Sequence, residues 1–412
     1  MRIPAHISHK EPAAVFSLQV LRDFHKEFPL AGNPQNALLT LSDDLISYLI
    51  AAIRNTPRSP PDIPPDEWHR FLTLLQPHGI IPLFAFHVRT WPEASRPPQE
   101  IMEYLNRLFL LAAVRNLRAG QQIQVITNAL KDAGIPVILL KGHALARTVY
   151  PDPALRQSSD IDLLVRPQNL FGAEEILENM GYACPLKTHF LSFEEQHDIF
   201  RPPGNGLAVE LHWVTDHAYD MVPGGWQDDA FVRRIPIRSG GLSCDTFSHP
   251  DHLLYIAFHN IFQHATMRLD WIYDTSLLAG QIRTADDWHN LGHQSVEHHM
   301  RIPMEIALTS AALWTGCEFP GGDDGFSAWP SPTPREEQLM RHAYAPQRSL
   351  LSEVYLIMQG RRGIHEKLRC GYLLVLPPAP LLAPFRKNSS RADIPLAHLR
   401  RWSRFLNIFL KK

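Results

Sequence analysis

Between residues 135 and 240 the spacing of apolar residues stops being helical, and that switch restricts the chain to folds that set a small sheet among helices. Residues 136–140 (PVILL) form a short, wholly apolar run rich in β-formers, the pattern of a buried strand. Residues 161–165 (IDLLV) form a second run. A third spans 207–213 (LAVELHW), where Leu207, Val209, Leu211 and Trp213 alternate with Ala208, Glu210 and His212. A helix over roughly 170–180, closed by Gly181, separates the second run from the third, and 231–237 is a candidate for one more strand.

On either side the helical period rules. In 37–53 the residues Leu38, Leu41, Leu45, Ile46, Leu49 and Ile50 recur at helical spacing. Residues 66–75 repeat the pattern, and 99–133 predict one long helix with Gly134 as its stop. From Asp251 onward Leu254, Ala257, Phe258, Ile261 and Phe262 make one apolar face, with helices expected to about 368 and a Gly/Pro loop near 316–334. The chain has 35 prolines, and clusters at 57–65 and 377–384 read as linkers between helical blocks. The expected fold class is therefore α+β, a small mixed sheet flanked by N- and C-terminal helical regions. The expected division is 1–125 helical, 126–245 α/β core, 246–370 helical and 371–412 a Pro-rich segment with a basic amphipathic tail.

Bulk composition narrows partners more than chemistry. With 412 residues, 45% hydrophobic and 20% charged, the chain has ample length for a core, and a net charge of −2 gives no bulk attraction to nucleic acid. Its four cysteines are far apart with no CxxC pair, so neither a zinc ribbon nor a dithiol redox site is signalled, and a reducing cytoplasm is the expected compartment. No secretory signal is read at the N-terminus, and the late apolar run 372–385 is interrupted by prolines and too short to span a bilayer. Residues 385–412 carry eight Lys/Arg against one Asp, with Trp402, Phe405, Ile408 and Phe409 interleaved. Peripheral membrane contact is one reading of that tail, and a terminal helix docked on its own protein is the commoner one.

The chemistry concentrates in 139–165, LLKGHALARTVYPDPALRQSSDIDLLV. Lys141 and Gly142 follow one strand, and Asp160 and Asp162 begin the next. Residues i and i+2 of a strand face the same way, so the two aspartates project together with Cα atoms about 6 to 7 Å apart. Glu210 sits on the third strand, between apolar neighbours that face the other way. Carboxylates held side by side repel, and burying them unpaired is costly. A divalent cation relieves both costs, and hard oxygen donors suit Mg²⁺. A lone DxD is a weak signal, since aspartates often flank strands as solvated turn residues. The apolar frame around this one and the downstream VELHW strand are what lend it weight.

These residues, in the order KG, R, SDIDLLV and VELHW, resemble the uncharacterised nucleotidyltransferase family of the DNA polymerase β-like superfamily. The segments HGIIPLFAFHV (78–88), AGIPVILLKG (133–142) and HPDHLLYIAFHNIFQHATMRLDWIYD (249–274) fit the same family, so the resemblance covers roughly 66–280. It implies an enzyme that transfers a nucleoside monophosphate from an NTP, ATP among the candidates, to a hydroxyl or amine, with release of pyrophosphate. Asp160, Asp162 and Glu210 are then the catalytic metal ligands, holding two Mg²⁺ ions. Relatives often carry Asp where this chain has Glu210. The implied nucleotide-binding residues are Lys141, Gly142, His143, Arg156, Ser159 and His212. Gly142 would open the phosphate-binding turn, and His143 departs from the Gly or Ser usual after it. Lys141 and Arg156 would contact phosphate, and the plainer reading of each is a surface charge or a pairing with Asp152.

Two weaker signals stand beside these. His249, His252, His259 and His264 share a segment, but their spacing matches no zinc pattern, so they read better as cleft lining. Asp270 and Asp274, one turn apart, would receive a cationic substrate or pair with Arg268, the latter being favoured. The carboxylates alone do not separate a small-molecule acceptor from tRNA or a protein, as in toxin-like or regulatory relatives, nor from a catalytically idle nucleotide-binding module.

Overall fold

A computed structural model describes residues 40–185, 197–215, 226–239, 242–263, 268–320, 328–343 and 393–410, with isolated positions 38, 326, 364, 365, 368, 371, 372 and 376. The helices before the sheet are α1 (Asp43–Ile53), α2 (Pro65–Leu75), α3 (Ile81–Thr90) and α4 (Gln99–Asp132). The middle of the chain holds β1 (Val137–Leu139), α5 (Lys141–Thr148), β2 (Asp160–Val165), α6 (Leu170–Asn179), β3 (His197–Phe200), β4 (Ala208–His212), α7 (Trp226–Val232), β5 (Ile235–Ser239) and β6 (Leu242–Thr246). It ends with α8 (His249–Phe258), which runs into a π turn at His259–Gln263, then α9 (Leu269–Ala279), α10 (Ala285–Glu297), α11 (Arg301–Thr315), α12 (Pro334–Ala343) and α13 (Ile394–Leu410).

Local chemistry sets these boundaries. Ser42, Ser248 and Thr284 cap α1, α8 and α10 by accepting from Leu45, Asp251 and Asp287 backbone N–H groups. Gly134 ends α4 with φ +71°, a left-handed conformation that glycine takes without penalty. The Arg54 guanidinium, just past α1, donates to the carbonyls of Leu313 and Trp314 at 2.8 and 3.3 Å. It thereby closes the C-terminal end of α11 and ties the first helical block to the last.

The mixed sheet has the order β3-β4-β2-β1-β6-β5. β1 is antiparallel to β2 and parallel to β6, β2 is parallel to β4, and the two edge pairs are antiparallel. The α+β expectation holds, with two differences in detail. Strands β3 and β6 carry no strong alternation and were not expected. Phe231 closes helix α7, so the strand anticipated over 231–237 begins only at Ile235.

Each face of the sheet has its own core. Ile161, Leu163 and Val165 of β2 and Val209 and Leu211 of β4 pack with Ile123, Ile126 and Leu130 of α4 and with Ala173 and Leu177 of α6. The opposite face contributes Ile138 and Leu164 to a larger core shared by the N- and C-terminal helices. Helix α4 serves both, since Ile101 and Leu105 lie in the larger core and Ile123 in the sheet core, so it runs through the expected boundary at 125.

Among the described residues no helix is long and apolar enough to cross a membrane. In the tail, α13 exposes Leu396, Leu399 and Trp402. The side chains of Phe405, Ile408 and Phe409, like the whole Pro-rich segment at 377–384, lie outside the described residues.

A buried ionic cluster joins the sheet to the C-terminal helices. Arg156, in the turn before β2, sends its Nη1 to Asp270 at 3.0 Å and its Nη2 to Asp274 at 2.9 Å, both acids standing on α9. The Tyr150 hydroxyl donates to Asp274 at 2.8 Å. Burial opposes the Arg156 charge, but the two carboxylates more than compensate and raise its pKa above the usual value. Removing one partner from such a cluster strands a buried charge. The Asp274→Ala variant should therefore lose about 3–5 kcal/mol of unfolding free energy in a denaturant titration, and a loss below about 1 kcal/mol, the worth of an exposed pair, would contradict the role given to this cluster.

Candidate active site

The face of the sheet that carries Leu164 also carries the acids. On β2, Ile161 and Leu163 point into the sheet core, so Asp160 and Asp162 emerge on the opposite side. On β4, Val209 and Leu211 point the same way as Ile161, leaving Glu210 and His212 beside the aspartates. The parallel register pairs Asp162 with Glu210 and Leu164 with His212. Neighbouring strands lie only about 4.8 Å apart, so this register alone brings the three carboxylates of two separate segments to one place. They line a cavity of about 780 Å³ whose other walls come from α4 (Asn116), the β1–α5 junction and the C-terminal helical block (Asn260, Trp271).

Within the cluster the three acids are not equivalent. Asp162 is nearly enclosed; it accepts from Lys141 Nζ at 2.9 Å, and its Oδ1 lies 3.1 Å from His212 Nε2. Burial disfavours its charge, but the Lys141 ammonium and His212 outweigh that and hold it ionised well below the usual carboxylate range. Asp160 has the opposite fate. Burial, then the charges of Asp162 and Glu210, push its pKa up to about 6, against smaller help from Lys141 and the Ser159 hydroxyl 3.2 Å away. Glu210 remains partly exposed, its Oε2 3.6 Å from His212 Nε2 and 3.9 Å from His197 Nε2. The cluster is thus an oxygen-rich set still repelling itself after Lys141 is counted, and that donor set fits a hard divalent cation.

The junction between β1 and α5 is unusual. Lys141 sits at φ +51°, rare for a residue with a side chain, and its backbone N–H donates to His252 Nε2 at 3.2 Å. His252 is fully buried, and that burial drives its pKa down to about 3, so it stays neutral and able to accept. A Cβ at Gly142 would lie 1.9 Å from Ser158 Oγ. A side chain there would need the Ser158 hydroxyl to swing aside and would press on Ser158 Cβ at 3.2 Å, so the glycine suits the close approach of the 156–159 loop.

The structure brings together most of the residues singled out in the sequence and diverts others. Lys141, Gly142, His143, Ser159 and His212 all border the cavity with the three acids. His143 is buried, and neither ring nitrogen has a hydrogen-bond partner among the described residues; burial and Arg147 lower its pKa to about 3. Arg156 also lines the cavity, with its guanidinium held by Asp270 and Asp274, and Asp152, the other partner considered for it, caps the short turn that follows it. Asp270 pairs with Arg268 at 2.7 Å as favoured, whereas Asp274 pairs with Arg156. Of the histidines at 249–264, His259 lines the cavity and His252 supports Lys141, while His264 lies outside the described residues. His197 was missed altogether. It stands on β3 opposite His212, on a strand of four residues that no periodicity marks.

The family described as an uncharacterised nucleotidyltransferase matches residues 64–316, more than half of the chain. No curated protein matches it in sequence. Two solved structures show a slight likeness. A crystal structure of an antigenic nucleotidyltransferase-like protein from Paracoccidioides brasiliensis is 15% identical over 47% of this chain and 87% of that one, with a TM-score of 0.33. The solution structure of the antibiotic-resistance factor ANT(2'')-Ia is 14% identical over 44% of this chain and 97% of that one, with a TM-score of 0.30. Likeness at these levels carries no argument for this chain.

The electrostatics of the cluster can be checked without any cation. A carboxyl whose pKa is raised to about 6 in the folded protein, from 3.8 otherwise, binds its proton more readily folded than unfolded. It contributes least above pH 6, and the chelator-treated protein should gain stability as pH falls from about 6 toward 4. The Asp160→Asn variant should melt above the wild type at pH 8 in chelator and lose that part of the pH dependence. A lower melting temperature for the variant under those conditions would contradict the like-charge account.

Proposed function

The chain belongs to the uncharacterised nucleotidyltransferase family, and from that premise we propose that it transfers a nucleoside monophosphate from an NTP to a hydroxyl or amine acceptor in a Mg²⁺-dependent reaction. The observation that supports this most is the register of β2 on β4, which sets Asp162 beside Glu210 with Asp160 two residues away on the same face. Asp160, Asp162 and Glu210 would hold the metal, and two ions are the natural complement for three carboxylates that line one cavity. When bound, such ions polarise phosphate oxygens and stabilise the charge on a departing pyrophosphate.

In this reading the acceptor oxygen or nitrogen forms a bond to the α-phosphorus as the bond from that phosphorus to the β-bridging oxygen breaks. The acceptor loses one proton, and pyrophosphate leaves. The protein's own part is to position and to exclude water. His252 and the close packing at Gly142 fix the β1–α5 junction that forms one wall of the cavity. Lys141 keeps Asp162 ionised, and it and Arg156, which is held by Asp274, are cations on the cavity wall that would face phosphate. Ser159 hydrogen-bonds Asp160 and holds the start of β2. The cavity volume of about 780 Å³ lies in the range of small-molecule sites. Because Arg156 and Arg268 already neutralise Asp270 and Asp274, the helical wall does not offer a free acidic patch to a polycationic acceptor. A small acceptor that is neutral or carries phosphate suits it best.

The test is binding and turnover of labelled NTPs with Mg²⁺, comparing the wild type with Asp160→Ala/Asp162→Ala. The wild type should bind NTP and release pyrophosphate, and the double variant should lose both by at least about a hundredfold, as when groups aimed at transition-state charge are removed. Equal binding and release by the two proteins would reject the site, and binding without release in the wild type would leave only a nucleotide-binding module.

A further inference from the structure

His197, on the outer strand of the sheet, stands next to the proposed metal ligands without being one of them. Strand β3 is antiparallel to β4 and pairs His197 with His212. Glu210 lies two residues before His212 on the same face of β4. One ligand atom from each of His197, Glu210 and His212 lies within 4.8 Å of the others. The two imidazole rings are 4.7 Å apart between centroids. We propose that His197, Glu210 and His212 form a second metal site, built for a transition-metal dication of the Zn²⁺, Co²⁺ or Mn²⁺ type rather than for Mg²⁺.

Glu210 Oε2 stands 3.6 Å from His212 Nε2 and 3.9 Å from His197 Nε2, both beyond hydrogen-bond reach. His212 Nε2 also lies 3.1 Å from Asp162 Oδ1, so an ion at this site would take the place of the Nε2 proton shared with that carboxylate, which keeps its contact with Lys141 Nζ. Donor atoms around a tetrahedral ion with bonds of about 2.1 Å lie about 3.4 Å from one another, so the two Glu210 contacts are already near that spacing, and the two imidazole nitrogens, within 4.8 Å of each other, would complete the closure. Two imidazoles and one carboxylate leave a fourth position open, the arrangement of sites that activate a ligand rather than of closed structural ones. Imidazole nitrogen also changes the choice of ion. Mg²⁺ takes oxygen donors, whereas the later first-row dications bind nitrogen far better. Glu210 has Asp160 and Asp162 of β2 on one side and His197 of β3 on the other, so one carboxylate can face both sites. The inference leans on the proposed nucleotidyl transfer only for this sharing of Glu210.

The experiment uses the full chain after treatment with chelator, with Co²⁺ as the probe. His289 and His293 on α10 form an exposed pair with Nε2 atoms 3.0 Å apart. That pair would capture the probe, so every protein tested carries His289→Ala. Co²⁺ binding is followed by its visible ligand-field bands, and Mg²⁺ binding by calorimetry.

The parent should take up Co²⁺ more tightly than Mg²⁺, with the strong bands of a four- or five-coordinate ion. His197→Ala should weaken Co²⁺ at least as much as loss of an outer-shell partner does, about 10–100-fold, and leave Mg²⁺ affinity unchanged. Because His197 is partly exposed at the sheet edge, His197→Asn provides a second variant with a side chain of similar polarity, and it should behave as His197→Ala does. Co²⁺ affinity that is indifferent to both substitutions would overturn the inference, and so would equal losses of Co²⁺ and Mg²⁺. NTP turnover separates this inference from the reading it leans on. If turnover is absent while the His197-dependent Co²⁺ bands persist, only the nucleotidyl transfer falls. If turnover is intact while Co²⁺ ignores His197, only the second site falls.

Discussion

The whole site depends on mutual repulsion that the sheet enforces. Parallel pairing of β2 with β4 fixes Asp162 opposite Glu210, and strand alternation adds Asp160 on the same face. None of the three can turn away, because their neighbours Ile161, Leu163, Val209 and Leu211 are committed to the sheet core. A slip of one residue in β2 would bury both aspartates in that core and expose Ile161 and Leu163, at a cost of several kcal/mol. The apolar pattern of the strands therefore holds the acids in place despite the unfavourable charge they share.

Around that cluster the protein invests heavily in rigidity. The Arg156, Asp270 and Asp274 ions are buried together, Tyr150 joins them, and the loop that follows Arg156 closes over Gly142. Lys141 is held at a left-handed backbone angle by the imidazole of His252, which burial keeps neutral. These contacts link the sheet to α8 and α9, so the C-terminal helices are part of the wall and not an appendage to it. The price of buried charge is met here by complete pairing, which suits a scaffold that must not shift by an ångström.

Much of this could be read from the residues alone, and the exceptions have physical causes. The runs PVILL, IDLLV and LAVELHW announce β1, β2 and β4 because each faces a core strongly enough to impose a pattern. Strand β3, HDIF, has one face at the cavity and an edge toward solvent, so nothing periodic marks it and His197 went unread. Strand β6, LSCDT, is likewise short and mixed. Phe231 looked like the start of a strand because it is apolar beside Val232, but it closes the buried side of α7. The partners of Arg156 lie more than a hundred residues away on α9, and sequence spacing carries no trace of such a pairing. The close approach of Ser158 to Gly142 is likewise visible only once the loop is folded.

In the proposed reaction Asp160, Asp162 and Glu210 together hold a divalent cation when nucleotide is present. The most direct measurement is anomalous diffraction from crystals soaked with Mn²⁺, standing in for Mg²⁺, and a non-hydrolysable NTP. Manganese density is expected in contact with Asp160 and Asp162, with Glu210 turned toward it and the triphosphate beside Lys141. Nucleotide bound in the cavity with no metal at the aspartates would contradict it.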